Sequence, residues 1–412
     1  MTIRKAVLSL TVVLIGSIQS VWAVENSQSN IATPSFTQLL EAYKKNQPQQ
    51  LTLNGIQQLH KAQKDQATSW VAGDVNVVLH HETDALTGDN ENQNWQVGAE
   101  FPIRLPSQKT TMSELVELSE QRLPIETQYL NWLASEQLRQ LMWTLKTAQV
   151  EVQIVEERLS TSEKLLKSIN KQVELGETAQ MDAVLAEQIT LKDRTELLLM
   201  KSNLMAAENA FFKWTGFKVL PASITEAKAT VETEQHPQIR RLTTQLVLAN
   251  SELKQLESEK SGQPSVYFGA QQDHVAQQTD TSLVMELVIP LGMDSNFGVK
   301  VAQQRLLIQQ NRADLVQAKQ NLALKQHQAE QRLNQLQKTL ELTEQQLNLA
   351  MLALEMSSKA YQLGEISIQN LLQTQQHATE AKRNAVMSQL KLGQAIANYN
   401  QISGHILGAT NR

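Results

Sequence analysis

The chain has 412 residues, a formal net charge of −5, no cysteine, 4% aromatic residues and only 15 glycines and 9 prolines. A negative balance argues against nucleic acid as a partner, and the lack of cysteine excludes disulfides, thiolate metal sites and a lipid-modified cysteine at a mature N-terminus. So few turn-forming residues in so long a chain imply few elements, each of them long.

Residues 1–23 read as a secretory signal. Arg4 and Lys5 precede an apolar run from Ala6 to Ile15, and Val21-Trp22-Ala23 forms a small-residue cleavage site. Cleavage there starts the mature chain at Val24 and, by removing Arg4 and Lys5, moves the formal charge from −5 to −7. No later apolar run reaches about 18 residues, so no membrane-spanning helix is expected.

The remainder divides into two copies of one plan. Sliding the sequence by 188 positions lays Phe101-Pro102-Ile103 on Ile289-Pro290-Leu291, Leu175-Gly176-Glu177 on Leu363-Gly364-Glu365, and Gly216 on Gly404. Residues 171–217 and 359–405 share only 8 identities in 47, so what repeats is the punctuation. The boundaries that follow are 24–217 for the first repeat, 218–235 for a linker, 236–405 for the second repeat and 406–412 for a short tail.

The first repeat opens with a helix from Ser35 to about Ser69. A strand pair follows over 74–103, and then a helical hairpin with its tip near 176. Trp95, Val97, Ala99, Phe101 and Ile103 alternate with Gln96, Gly98, Glu100 and Pro102, the period of two of a sheet with one apolar face. Val75, Val77 and Leu79 form the partner strand, across a polar loop at 82–92. From Ser107 to Leu175 only Pro124 interrupts a long helix, which it should kink or break. After the Leu-Gly-Glu turn a helix returns from Thr178 to Thr215.

The second repeat has a helix from Pro237 to about Lys260 and a strand pair over 264–291. Val266, Phe268 and Ala270 form one strand, and Leu283, Met285, Leu287 and Ile289 the other, joined by a loop at about 274–280. Val299 to Leu363 contains neither Gly nor Pro, and as one helix would run about 95–100 Å. Within it Leu333, Leu336, Leu340, Leu347, Ala350 and Leu354 keep a three-four spacing, broken only by Thr343, that marks a coiled-coil seam. Thirteen glutamines between Val301 and Ala350 supply an uncharged wet face. The tip lies near 364, and a helix returns from Ile366 to Ser403. The expected fold is mainly α with a small β part: two tandem repeats of long coiled-coil hairpins plus four strands.

Each strand segment extends to about 9–11 residues, the length that crosses a bilayer when tilted. Four strands cannot close a barrel, and an open edge in lipid leaves unpaired backbone groups costing several kcal/mol each. Membrane insertion therefore requires oligomerisation. Three copies give a trimeric 12-stranded outer-membrane barrel with six hairpins below it. A soluble sheet packed on the helix ends is the other reading, and its weakness is that so small a sheet has little core of its own.

This doubled order resembles the TolC family of outer-membrane efflux channels over essentially the whole mature length. The resemblance rests on Tyr361-Gln362-Leu363-Gly364-Glu365 with Leu371-Leu372, on Val173-Glu174-Leu175-Gly176-Glu177, and on His236-Pro237-Gln238-Ile239. It implies a homotrimer in outer-membrane lipid with a helical tunnel in the periplasm. It further implies docking on a periplasmic adaptor (membrane fusion protein) and an inner-membrane RND-type pump. Glu100-Phe101-Pro102-Ile103 and the run from Val288 to Gly298 look like the heavy-metal (cobalt-zinc-cadmium) efflux subgroup. Drug efflux and type I protein secretion are the alternatives within the family.

The family's plan places Leu175, Gly176, Glu177, Leu363, Gly364 and Glu365 at periplasmic tips that meet the adaptor. It also implies a gate, in which Tyr361 bonds Asp182, six positions after the first tip glycine. Better-known members carry a basic residue and two aspartates where this chain has Ile366, Asn370 and Gln373, so no carboxylate ring is expected from these positions, and cations would be held less well there.

His80 and His81 are adjacent on a strand and point to opposite faces, so the pair cannot chelate one ion. The other six histidines, at 60, 236, 274, 327, 377 and 405, lack ligand spacing, and no metal site or cofactor is expected. No phosphate-cradling loop or nucleophile turn points to an enzyme. A periplasmic coiled-coil adaptor is the rival of another class, but adaptors usually set one hairpin within β-rich domains.

Overall fold

The computed structural model describes residues 33–86, 88, 92–229, 232–275, 278–292 and 295–408; the signal expected over 1–23 lies outside them. The elements belong to one unit that begins at Pro34. In chain order they are α1 (Phe36–Lys45), α2 (Gln50–Thr68), β1 (Asn76–Thr83), β2 (Gln93–Pro102), α3 (Pro106–Glu120), α4 (Arg122–Glu174) and α5 (Gln180–Thr215). The second half supplies α6 (Pro237–Ser258), β3 (Ser265–Val275), β4 (Gln278–Val288), α7 (Phe297–Gln362) and α8 (Ile368–Ile402).

Two breaks have local causes. The helix expected to run unbroken from Ser35 is split into α1 and α2, because Pro48 lacks the N–H that would continue it. Asn46 caps the end of α1, and its side-chain amide donates to the Trp214 carbonyl at 3.0 Å. Pro124 acts as expected: it cannot donate to the Glu120 carbonyl, and the chain turns at Gln121 between α3 and α4. With no such residue, α7 continues for 66 residues, about 100 Å.

α4 packs antiparallel on α5 and α7 on α8, while α4 and α8 join the two pairs side by side. Ala329 and Leu333 of α7 are buried against α8 in a cluster with Tyr399, and Leu336 is buried as well. Thr343, the break in the leucine seam, turns its hydroxyl back to the Thr339 and Leu340 carbonyls. Toward the chain ends of the hairpins, Leu138, Met142, Trp143, Leu145 and Phe211 form a larger core with α1 and Leu407. Ion pairs lace the long helices: Glu156 of α4 meets Lys201 at 2.9 Å and Glu163 meets Arg194 at 2.9 Å, both on α5. Glu157 pairs with Lys382 of α8, whose hydrogen bond lowers the glutamate's pKa.

All four strands form one antiparallel sheet in the order β1-β2-β3-β4. Among the described residues, β1 and β4 each pair on one side only, leaving both outer edges open.

Candidate functional site

The register of the sheet sorts its side chains into two chemically opposite faces. On one face Leu79, Val97, Ala270 and Leu283 stand in a row across all four strands, and Val77, Ala99, Phe268 and Met285 form the next row. The six larger side chains lie bare, Leu283 at 91% and Val77 at 81% exposure, with the two alanines half-buried among them. On the other face the rows read Asn76-Glu100-Tyr267-Glu286, His80-Gln96-Gln271-Ser282 and Glu82-Asn94-Asp273-Asp280. A contiguous bare apolar face is unstable in water and stable in lipid. Backing it with amides and carboxylates fits a wall between lipid and an aqueous interior.

The polar face also carries a packing device. Tyr267 lies over the paired glycines Gly98 and Gly269, where an added Cβ would stand 2.5 and 2.2 Å from the tyrosine oxygen. Only glycine leaves room for that ring against the sheet. His80 and His81 do point to opposite faces; His81 stacks on Trp95 with ring centroids 3.8 Å apart. Among the described residues no three His, Asp or Glu side chains gather in metal-binding geometry, and no helix is long and apolar enough to cross a membrane.

At the far end of the long helices the two turns are built alike. Gly176 has φ 74° and Gly364 φ 76°. Glu177 N–H donates to the Gln172 carbonyl at 2.8 Å and Gly176 N–H to Val173 at 3.0 Å; Glu365 to Ala360 at 2.9 Å and Gly364 to Tyr361 at 3.0 Å repeat the pattern. This pair of hydrogen bonds across a left-handed residue satisfies the last helix carbonyls. The turns project Leu175 (72% exposed) and Leu363 (73% exposed) into solvent beside exposed Glu177 and Glu365. Just behind them Ile169, Ala183, Ala186, Ile368, Leu371 and Leu372 form a buried cluster, so both tips end at one level. Valine at either glycine is expected to cost that turn about 1–2 kcal/mol, because a β-branched residue resists positive φ. Hydrogen exchange should then quicken at Leu175–Glu177 or Leu363–Glu365 while the buried core keeps its protection; unchanged exchange at the tip would contradict this.

The hydroxyl bond expected between Tyr361 and Asp182 goes elsewhere. Tyr361 donates its hydroxyl to Gln172 Oε1 at 3.0 Å. A phenol has one proton to give, so the bond to Asp182 is not made in this protomer. Gln172 was not distinguished by sequence; it is one glutamine among many, and only packing places it opposite Tyr361. Asn370 and Gln373 are both exposed on α8, with the Asn370 N–H on the Ser367 hydroxyl at 3.4 Å as a helix cap.

The junction at the other end of α4 is held by a buried polar network that pattern reasoning missed. Arg139 grips Glu226 through two hydrogen bonds, at 2.8 and 2.7 Å, and donates to the His405 carbonyl at 3.0 Å. Asn400 fixes the same segment, donating to Glu226 at 3.1 Å and Ala227 at 2.9 Å while accepting from Ala229 N–H at 2.8 Å. Next to it His236 caps α6, its Nδ1 accepting from Gln238 N–H at 3.1 Å, with the Trp132 ring edge-on at 5.0 Å. Burial lowers the His236 pKa from 6.5 to about 4, and burial with the Arg139 charge also lowers that of His405. Both imidazoles are thus neutral in the fold and protonate more readily when it opens. Stability should be full above pH 6.5 and fall as pH drops toward 4. His236→Asn, which keeps the cap acceptor, should flatten that decline in thermal melts across this range; a slope unchanged from the parent would contradict the assignment.

No protein-family model and no curated protein matches the sequence. Solved structures do. The CusC structure, described for its folding and transmembrane channel formation, matches with 15% identity over 91% of this chain and 93% of its own, with a TM-score of 0.70. The open state of the MtrE outer-membrane channel of Neisseria gonorrhoeae matches at 15% identity over 92% and 91%, with a TM-score of 0.68. The outer-membrane protein VceC of Vibrio cholerae follows at 14% over 90% and 96%, with a TM-score of 0.65. This chain has the fold of these outer-membrane channels. The likeness spans nearly the full length of each, so the channel fold takes in both hairpins and the sheet.

Proposed function

We propose that the chain is the outer-membrane channel of a tripartite efflux system, a passive exit duct and not an enzyme. It is exported by a signal over 1–23 and, lacking cysteine, carries no lipid there. Its two halves are tandem repeats, and three copies close a 12-stranded barrel whose six hairpins form a periplasmic tunnel. The observation that carries this reading is the bare apolar face running across all four strands, backed by a polar face and continuous with helices of about 100 Å.

Leu175, Gly176, Glu177, Leu363, Gly364 and Glu365 are the contacts for a periplasmic adaptor, which links the duct to an RND-type inner-membrane pump. Tyr361, Asp182, Asn370 and Gln373 belong to the gate. A Tyr361–Gln172 hydrogen bond between neutral groups, worth about 0.5–1.5 kcal/mol, is a weak latch that adaptor binding can break. The cargo is heavy-metal cations, supported by the strand-to-helix crossings at Glu100–Ile103 and Val288–Leu291. Growth of a deletion strain across graded zinc, cadmium, cobalt, copper and silver, beside dyes, detergents and antibiotics, tests the cargo. Sensitivity confined to metals and restored by the gene is the expected result. Sensitivity to organic compounds alone would overturn it in favour of a drug pump.

A further inference from the structure

A cavity of about 360 Å³ opens between α4, α5 and α8, where the two hairpins of one chain meet. Its lining spans Ala186 to Glu196 on α5 and Leu372 to Arg383 on α8, 10–20 residues behind Gly176 and 8–19 behind Gly364. At 1.5 Å per residue it lies about 12–30 Å behind the tips, clear of the tip residues themselves. Leu165, Ile189 and Leu372 give it an apolar wall.

Asp193 supplies its chemistry. That side chain is only 5% exposed, yet just one of its oxygens is engaged: Oδ1 lies 2.8 Å from Arg158 Nε, while the buried Oδ2 receives no hydrogen bond from the protein. The Arg158 guanidinium also pairs with Glu196. One positive charge shared between two carboxylates leaves one negative charge uncompensated. The rest of the lining does not repair this. Arg383 pairs with Glu151 at 3.5 Å, and the exposed Lys192 and Glu380 cancel in formal charge.

A buried carboxylate oxygen with no donor is costly, and the cost falls when an occupant brings N–H groups and positive charge. A bare metal ion fits poorly, because both carboxylates already hold Arg158 and, among the described residues, no three His, Asp or Glu side chains converge. The apolar wall calls for hydrocarbon, and the volume suits a small ligand.

We propose that this cavity binds a small organic cation, a primary ammonium on a short aliphatic or aromatic body. The ammonium donates to Asp193 Oδ2, and the body lies against Leu165, Ile189 and Leu372. Because the occupant touches both hairpins, it clasps α8 to α4 and α5. The site goes beyond the duct reading and is independent of it.

The test uses the full-length protein in detergent near neutral pH, with benzylamine as the probe and benzyl alcohol as its uncharged counterpart. Benzylamine is expected to raise Tm by a few degrees in a saturable way, and benzyl alcohol to leave it unchanged. Asp193→Asn, which keeps the shape and leaves Glu196 to hold Arg158, should abolish the rise. So should Thr379→Trp, which fills the cavity from α8 and leaves its charges in place. Hydrogen exchange on the parent protein needs no variant, and benzylamine should slow it together at 158–165, 186–196 and 372–383. An equal rise with benzyl alcohol would overturn the charge recognition. No rise would show a cavity that holds water alone, and a rise that persists in Thr379→Trp would place the binding elsewhere; either overturns the proposal while leaving the channel reading untouched.

Discussion

Leu283→Arg is expected to abolish accumulation of the protein in the outer membrane, while Ser282→Arg, one residue away, is expected to leave it intact. The two side chains point to opposite faces, and Leu283 sits in the row Leu79-Val97-Ala270-Leu283 at 91% exposure, whereas Ser282 joins His80, Gln96 and Gln271. A charged residue on the lipid face of a barrel costs about 2–4 kcal/mol at mid-depth, and the proposed trimer would incur it three times. A soluble sheet with that face in water would tolerate both substitutions equally, since each would replace an exposed side chain. Sucrose-gradient fractionation with detection of both variants decides the matter, and equal membrane recovery would contradict the assignment of the faces.

Arg139→Ala is expected to destabilise the fold by about 3–5 kcal/mol, because it strands the Glu226 carboxylate in a buried site. Both side chains are almost wholly covered, at 5 and 8% exposure, and the pair ties the segment after α5 to α4 and to the end of α8. Glu226→Ala should cost a similar amount, and the double variant Arg139→Met with Glu226→Leu should recover much of the loss, since neither charge is then left alone. Urea unfolding of the detergent-solubilised protein reads all three. A loss below about 1 kcal/mol for Arg139→Ala, in the range of exposed pairs, would show that the site is wetter than its packing implies.

Much of this was legible from residue order because the chain is built of long, simple periods. Alternation in Trp95–Ile103 and Leu283–Ile289 fixed which face of each strand is apolar, and the absence of Gly and Pro after Val299 fixed the length of α7. The Leu-Gly-Glu turns were readable because a positive φ nearly demands glycine. Contacts between segments distant in sequence were not readable. Tyr361 found Gln172 and not Asp182, and Arg139 found Glu226, because side-chain partners across helices depend on rotation and height that local periodicity leaves open. The split between α1 and α2 falls at Pro48, inside the single helix expected from Ser35 to about Ser69. The order of strands β2 and β3 across the sheet, which joins the halves, likewise has no local signature.

The most direct test of the central claim is single-channel recording from the purified full-length protein in a planar lipid bilayer. Discrete conductance steps of one size are expected, lost in protein carrying Leu283→Arg because it fails to insert. Protein that incorporates into the bilayer without any conductance, or that never incorporates, would contradict a channel whose wall is this four-stranded sheet.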